Sequence, residues 1–200
     1  MKPILVLYAT REGHTCCIAE RVAERIRIHG LAVKIRNVRE DRPPIDLTGF
    51  AGVIVAASVH GGKHEPEMIQ FVKRHLQQLH ILPSAFISVS LSQAGVERID
   101  ATPEEHARFT GDVQKMLNAF FEQTRWRPHI VAPVAGALMY QKYNWFIRWV
   151  MKRIAKASGG STDTTRNHNY TNWKFLDRFA DEFMQRVTLD QTAHAHCRTA

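Results

Sequence analysis

The run Ile4-Leu5-Val6-Leu7-Tyr8-Ala9, followed at once by Thr10-Arg11-Glu12-Gly13-His14-Thr15, constrains the fold more than any other stretch of this chain. An unbroken apolar run suits a parallel strand covered on both faces. The polar segment after it suits a tight loop around an anion. Thr10 and Thr15 offer hydroxyl donors, and Gly13 permits positive φ and a close approach of the backbone. A helix beginning near Thr15 directs its free N–H groups and the positive end of its dipole to the same place. This is the arrangement of a mononucleotide phosphate site. An ordinary strand–turn–helix with a threonine N-cap is the plainer alternative.

Better-known phosphate loops are excluded by their own patterns. No G-x-x-x-x-G-K-[ST] is present, and no G-x-G-x-x-G follows the first strand. Ala9-Thr10 and Ala57-Ser58 stand where a receiver domain needs acidic residues. What remains, [ST]-x-x-G-x-T, resembles the FMN phosphate loop of flavodoxins. Glu12 is a departure, a carboxylate in a loop meant for a dianion. It is expected to point outward or to be compensated by Arg11.

Further along, Cys16 to His29 has apolar residues at helical spacing and Gly30 as a stop. Leu31 to Val38 alternates, as an edge strand does. The Pro43-Pro44 connection is short for a parallel crossover. Gly52 to Ser58 is a central strand, Pro66 to Leu79 a helix, and Ser84 to Leu91 a fourth strand. Thr102-Pro103-Glu104-Glu105 starts a helix that runs to about Thr124. His129 to Ala135 is a fifth strand whose Pro133 predicts a bulge or an edge position. Thr171 is expected to cap a last helix, Asn172 to Val187. The sum is an α/β, doubly wound, five-stranded parallel sheet in the flavodoxin-like order 2-1-3-4-5. An insertion separates its fifth strand from the last helix.

That order brings together the loops Thr10–Thr15, Ser58–His64 and Leu91–Gly95, at the carboxyl ends of the first, third and fourth strands. Phosphate contacts are assigned to Thr10, Arg11, Glu12, Gly13, His14 and Thr15. An isoalloxazine ring is placed with Ser58, Val59, His60 and Gly61 on one side and Ser90, Leu91 and Ser92 on the other. The second loop has no Tyr or Trp to stack on the ring, and His60 is a weaker substitute. No general acid or base is named by the sequence; His60 and His64 are candidates only.

Charge points to a partner. The chain carries +8, and from Gln123 to Thr162 it has no Asp or Glu, while Arg125, Arg127, Lys142, Arg148, Lys152, Arg153 and Lys156 are all basic. Such a stretch implies phospholipid, nucleic acid or an acidic small molecule. Within the insertion, Gly136 to Tyr170, Arg148, Lys152 and Lys156 form a basic stripe beside an apolar one of Phe146, Val150 and Ile154. Tyr140, Tyr143, Trp145 and Trp149 add interfacial aromatics. A helix lying in a membrane interface is composed this way, as is an amphipathic helix packed on the domain. The Ser158–Thr164 stretch reads as a flexible return loop. Cys16, Cys17 and Cys197 fit neither a disulfide framework nor a zinc site, so no metal is expected. Cys16 and Cys17 are expected to be packed rather than activated.

Taken together, T-R-E-G-H-T from Thr10, P-S-A-F-I-S-V-S-L from Pro83, W-R-P from Trp126, A-G-A-L-x-Y ending at Tyr140 and S-G-G-S-T-D-T from Ser158 resemble one family. It is the bacterial FMN- and menaquinone-dependent protoporphyrinogen IX dehydrogenases, and the similarity spans Pro3 to about Val187. The resemblance implies FMN as a non-covalent cofactor and protoporphyrinogen IX as substrate. Electrons would pass to a respiratory quinone, menaquinone or ubiquinone. It also implies a cytoplasmic protein held peripherally at the inner membrane, with Tyr140, Lys142, Arg148, Trp149 and Lys152 as substrate or membrane contacts. A flavodoxin-type electron carrier, a soluble NAD(P)H:quinone reductase and a flavin-free binding module are the alternatives. Nucleic acid is not expected as a partner, and a homo-oligomer is left open. The tail, Thr188 to Ala200, lies beyond the resemblance and is expected to lack fixed structure.

Overall fold

The computed structural model describes residues 2–40, 45–142 and 163–198. Its centre is β1 (Ile4–Ala9), β3 (Gly52–His60) and β5 (Ser84–Ser90), flanked by the edge strands β2 (Val33–Asn37) and β6 (Ile130–Ala135). All pairings among these five are parallel, in the order β2-β1-β3-β5-β6, which is the expected 2-1-3-4-5 order. Pro133 sits on the edge strand opposite Ser88, where its missing N–H costs no ladder bond on the open side.

Period-two alternation divides the central strands between two cores. One face carries Ile4, Val6, Ile54, Ala56, Ala85 and Ile87. It is covered by α1 (His14–Ile28), through Ile18, Val22 and Ile26, and by α6 (Trp173–Arg198), through Leu176, Phe179 and Phe183. The other face carries Leu5, Leu7, Val53, Val55 and Phe86. It is covered by α2 (Pro66–Arg74), α3 (Leu76–Ile81) and α5 (Pro103–Thr124). Phe86 and Phe120 stack there with centroids 4.2 Å apart, beside the fully buried Trp126. Across the first face, Arg21 and Arg25 make paired bonds of 2.7–2.8 Å to Asp177 and Asp181. These bonds fasten α1 to α6 one helical turn apart.

Local signals are met where they rest on geometry. Thr102 and Glu105 form the full capping box that starts α5, with Pro103 in its first turn. Several expectations are corrected. The helix from Pro66 is broken at His75 (φ −106°, ψ 17°), whose ring packs on Phe71 and whose Nδ1 bonds Gln78. Asn172, rather than Thr171, caps α6: its Oδ1 accepts from Phe175 N–H. That helix also runs on to Arg198, so the tail expected to lack structure from Thr188 is helical as far as Arg198. Burial fades after Val187, but no Gly or Pro follows to stop the helix.

Two features after β5 and β6 shape the site. The segment expected as a loop over Leu91–Gly95 is the short helix α4 (Leu91–Val96), capped by Ser90 Oγ from Gln93 N–H. At the base of the insertion, β7 (Ala137–Leu138) and β8 (His168–Asn169) pair antiparallel. Gly95 is buried where α4 meets α5, and a methyl group there would lie 2.5 Å from the Phe109 ring. Gly95→Ala is therefore expected to destabilise by about 1–3 kcal/mol through overpacking. That outweighs a helix-propensity gain of at most about 1 kcal/mol. Thermal denaturation of the variant reads the difference as a lowered Tm.

Candidate flavin site

The carboxyl end of β1 delivers the chain into the Thr10–Thr15 loop. Gly13 takes φ +93° just before α1, a conformation that a Cβ disfavours. Its N–H donates to Thr10 Oγ1 at 3.0 Å, which leaves the Thr10 hydroxyl proton as a donor. The N–H groups of the first turn of α1 are open at the same place, and Thr15 is buried against it. A small cavity of about 60 Å³ is enclosed by Thr10, Glu12, His14 and Thr15 with Ser58–His60, Val89–Leu91 and Gly136–Ala137.

The expected Ser58–His64 loop is instead a continuation of β3 into a hairpin with β4 (Lys63–His64). Gly61 and Gly62 have φ +56° and +76°, the paired positive values of a two-residue primed turn. The Gly-Gly pair between extended residues carries that signal in the sequence. Between this hairpin and α4 lies a groove of about 550 Å³, lined by Val59–Lys63, Ser90–Ser92, and Asp112, Lys115 and Met116 of α5. The two proposed sides of the ring site thus face one groove, with Val59, His60, Ser90 and Leu91 shared with the loop cavity. Lys63, Asp112, Lys115 and Met116 were not assigned from the sequence. A larger cavity, about 700 Å³ between His29, Leu31 and Met184, lies at the opposite end of the sheet and contains none of these residues.

Side-chain pairings in the loop differ from expectation. Glu12 does not point outward: its carboxylate lies 2.7 and 2.9 Å from His60 Nε2. Arg11 Nε donates to Glu65 Oε2 at 2.9 Å. Glu65, only 1% exposed, also accepts from Ser58 Oγ at 3.0 Å and lies 2.8 Å from His60 Nδ1. Burial would raise the Glu65 pKa, but His60, Ser58 and Arg11 together hold it below the ordinary value. Burial would likewise lower that of His60, yet Glu12 and Glu65 push it up to about 9, so the ring is an imidazolium at neutral pH.

Other expected contacts are committed elsewhere. Thr171 Oγ1 donates to Ala135 O at 2.7 Å and therefore accepts from His14 Nε2, also at 2.7 Å. Burial lowers the His14 pKa, so this ring is neutral and ties the loop to the start of α6. His64 is buried between Phe86 and Phe120, bonded to Ser88 Oγ, and burial lowers it to about 4; it is a core residue. Ser90 Oγ serves its own helix cap. Cys16 is half-buried, and burial raises its thiol pKa, whereas Cys17, expected to be packed, is exposed because it falls on the outer side of α1. Tyr140 is fully buried with Leu138, edge-on to His168 at 6.0 Å, and so is not an interfacial side chain. Arg148, Trp149 and Lys152 lie outside the described residues, as does the Lys142 side chain.

The loop fits a flavin phosphate in backbone conformation and donor set, and the groove beside it has room for a planar ring. Opposite titrations bound its stability. The His60 contribution is complete below about pH 6.5 and is lost as pH rises through about 9; that of His64 is present above about pH 6.5 and is lost as pH falls through about 4. NMR titration of the imidazole C–H signals is expected to show His60 charged and His64 neutral at pH 7. In denaturation curves, His60→Gln is expected to flatten the alkaline limb.

Comparison with known proteins agrees with this geometry. The family described as Flavodoxin domain matches residues 5–165. The protoporphyrinogen IX dehydrogenase [quinone] of Escherichia coli K12 is 34% identical over 178 residues, covering 89% of this chain and 92% of that one. A protein of the same name from Leishmania major is 33% identical over 183 residues, covering 90% and 73%. Among solved structures, oxidised flavodoxin 1 from Bacillus cereus matches with a TM-score of 0.50 at 12% identity, covering 92% of this chain and 97% of that one. A short-chain flavodoxin associated with a bacterial microcompartment gives 0.50 at 14%, covering 94% and 99%, and these two speak for the fold alone. The chain belongs to the flavodoxin-domain family, alongside the quinone-linked protoporphyrinogen IX dehydrogenases.

Proposed function

We propose that this protein oxidises protoporphyrinogen IX to protoporphyrin IX and passes the electrons to a quinone, with FMN as its cofactor. The observation that carries the reading is the near full-length match to dehydrogenases of that name, which extends across the insertion as well as the sheet. FMN, once bound, takes electron pairs from one substrate and yields them to the other. The chain's own part is binding and orientation. The Thr10 hydroxyl and the first-turn N–H groups of α1 hold the phosphate end. The hairpin and α4 form the two walls of the groove. Lys63 and Lys115 bring ammonium groups to the rim of that groove, and the two propionates of a porphyrinogen are carboxylates suited to them.

Contact with a membrane surface belongs to the same reading, because a respiratory quinone partitions into the bilayer. Among the described residues no helix is long and apolar enough to cross a membrane. The support is compositional: the basic stripe Arg148, Lys152 and Lys156 beside Trp145 and Trp149 has the make-up of a peripheral anchor. A place at the cytoplasmic face of the inner membrane is part of the same proposal.

Two measurements test these claims. Under anaerobic conditions the FMN-loaded protein is expected to generate porphyrin fluorescence from protoporphyrinogen only when a menaquinone or ubiquinone analogue is present. Bound FMN without that turnover returns the function to an electron carrier or an NAD(P)H:quinone reductase. In sedimentation with anionic phospholipid vesicles, exchanging Arg148, Lys152 and Lys156 for Glu is expected to abolish co-sedimentation. Each cation near such a surface contributes about 1 kcal/mol.

A further inference from the structure

Glu12 faces the cavity that the phosphate loop encloses, and a fixed negative charge there opposes a phosphate dianion. His60 is placed against that charge. Its Nε2 reaches both Glu12 oxygens, at 2.7 and 2.9 Å, while its Nδ1 lies 2.8 Å from Glu65. Glu65 is itself fixed from behind by Ser58 and Arg11. The imidazole therefore bridges the loop after β1 to the β3–β4 hairpin, and it borders both the loop cavity and the groove. Its Nε2 bonds Glu12, and its Nδ1, which makes no hydrogen bond, lies within ion-pair distance of Glu65, so two carboxylates favour the cationic ring. Arg11 and His60 thus bring two positive charges beside the carboxylates of Glu12 and Glu65. Among the described residues, no group of three or more His, Cys, Asp or Glu is arranged to hold a metal ion.

We infer that His60 is a positioning residue that makes this loop accept a phosphorylated flavin: its cation offsets Glu12 and holds that carboxylate against the hairpin. The inference rests on FMN binding at the Thr10–Thr15 loop and assigns the discrimination between FMN and riboflavin, which lacks the phosphate, to a residue on the neighbouring hairpin. A ring-stacking role for His60 would favour both flavins alike. An electrostatic role acts on the phosphate alone.

The test is the dissociation constant of FMN and of riboflavin, read from flavin fluorescence, for the unaltered protein and its variants. His60→Gln is expected to weaken FMN roughly tenfold, the effect of about one partly screened charge pair, and to leave riboflavin unchanged. Glu12→Gln added to His60→Gln is expected to restore FMN binding. His60→Lys, which keeps the positive charge, is expected to retain it. An equal loss of both flavins in His60→Gln, retention of FMN by it, or no rescue by Glu12→Gln overturns the inference. Failure of the unaltered protein to bind either flavin overturns the cofactor assignment beneath it. Thermal melts of each variant separate these outcomes from loss of folding.

Discussion

Burial of β1, β3 and β5 on both faces is the constraint from which the rest of this structure follows. Apolar strands covered above and below suit parallel pairing through crossovers, and here they run parallel with all their carboxyl ends at one edge of the sheet. The loop after β1, the hairpin after β3 and the helix after β5 meet there because the sheet leaves them no other place. The candidate site is thus built from segments that carry little of the core, while helices α1, α5 and α6 hold the strands in register.

Within that edge, electrostatics sets the detail. A carboxylate one residue before the loop glycine would be a liability in isolation. Here it belongs to a chain of alternating charges running from Glu12 through His60 and Glu65 to Arg11. Glu65 is nearly inaccessible to solvent, so its interactions are less screened than those of the Arg–Asp pairs on the surface of α1 and α6. The chain of charges ties the loop after β1 to the β3–β4 hairpin.

What the sequence revealed and what it hid divide by range. Strand periodicity, the Thr102–Glu105 capping box, the glycine of the phosphate loop and the edge position of Pro133 are local patterns, and each was legible. The pairing of Glu12 with His60 joins residues 48 apart, and no local rule proposes it. Tyr140 read as interfacial because aromatic residues crowd its neighbourhood, yet the β7–β8 pair turns it inward. Thr171 looked like a cap, but its hydroxyl is used between Ala135 and His14, and the neighbouring Asn172 takes that role. The hairpin is the exception: Gly61-Gly62 stated it, and the flanking residues were read as a loop because their apolar alternation is short.

The antiparallel pairing of β7 with β8 has a consequence for how such a chain can diversify. Ala137 lies opposite Asn169 and Leu138 opposite His168, so the chain pairs with itself at the two ends of the insertion. Closing a loop at fixed ends costs only slowly more as the loop lengthens. An insertion whose ends are paired in this manner can be lengthened, recharged or exchanged while the strands below keep their register. The fold thereby lets the sheet and its loops stay constant while the insertion beside them varies.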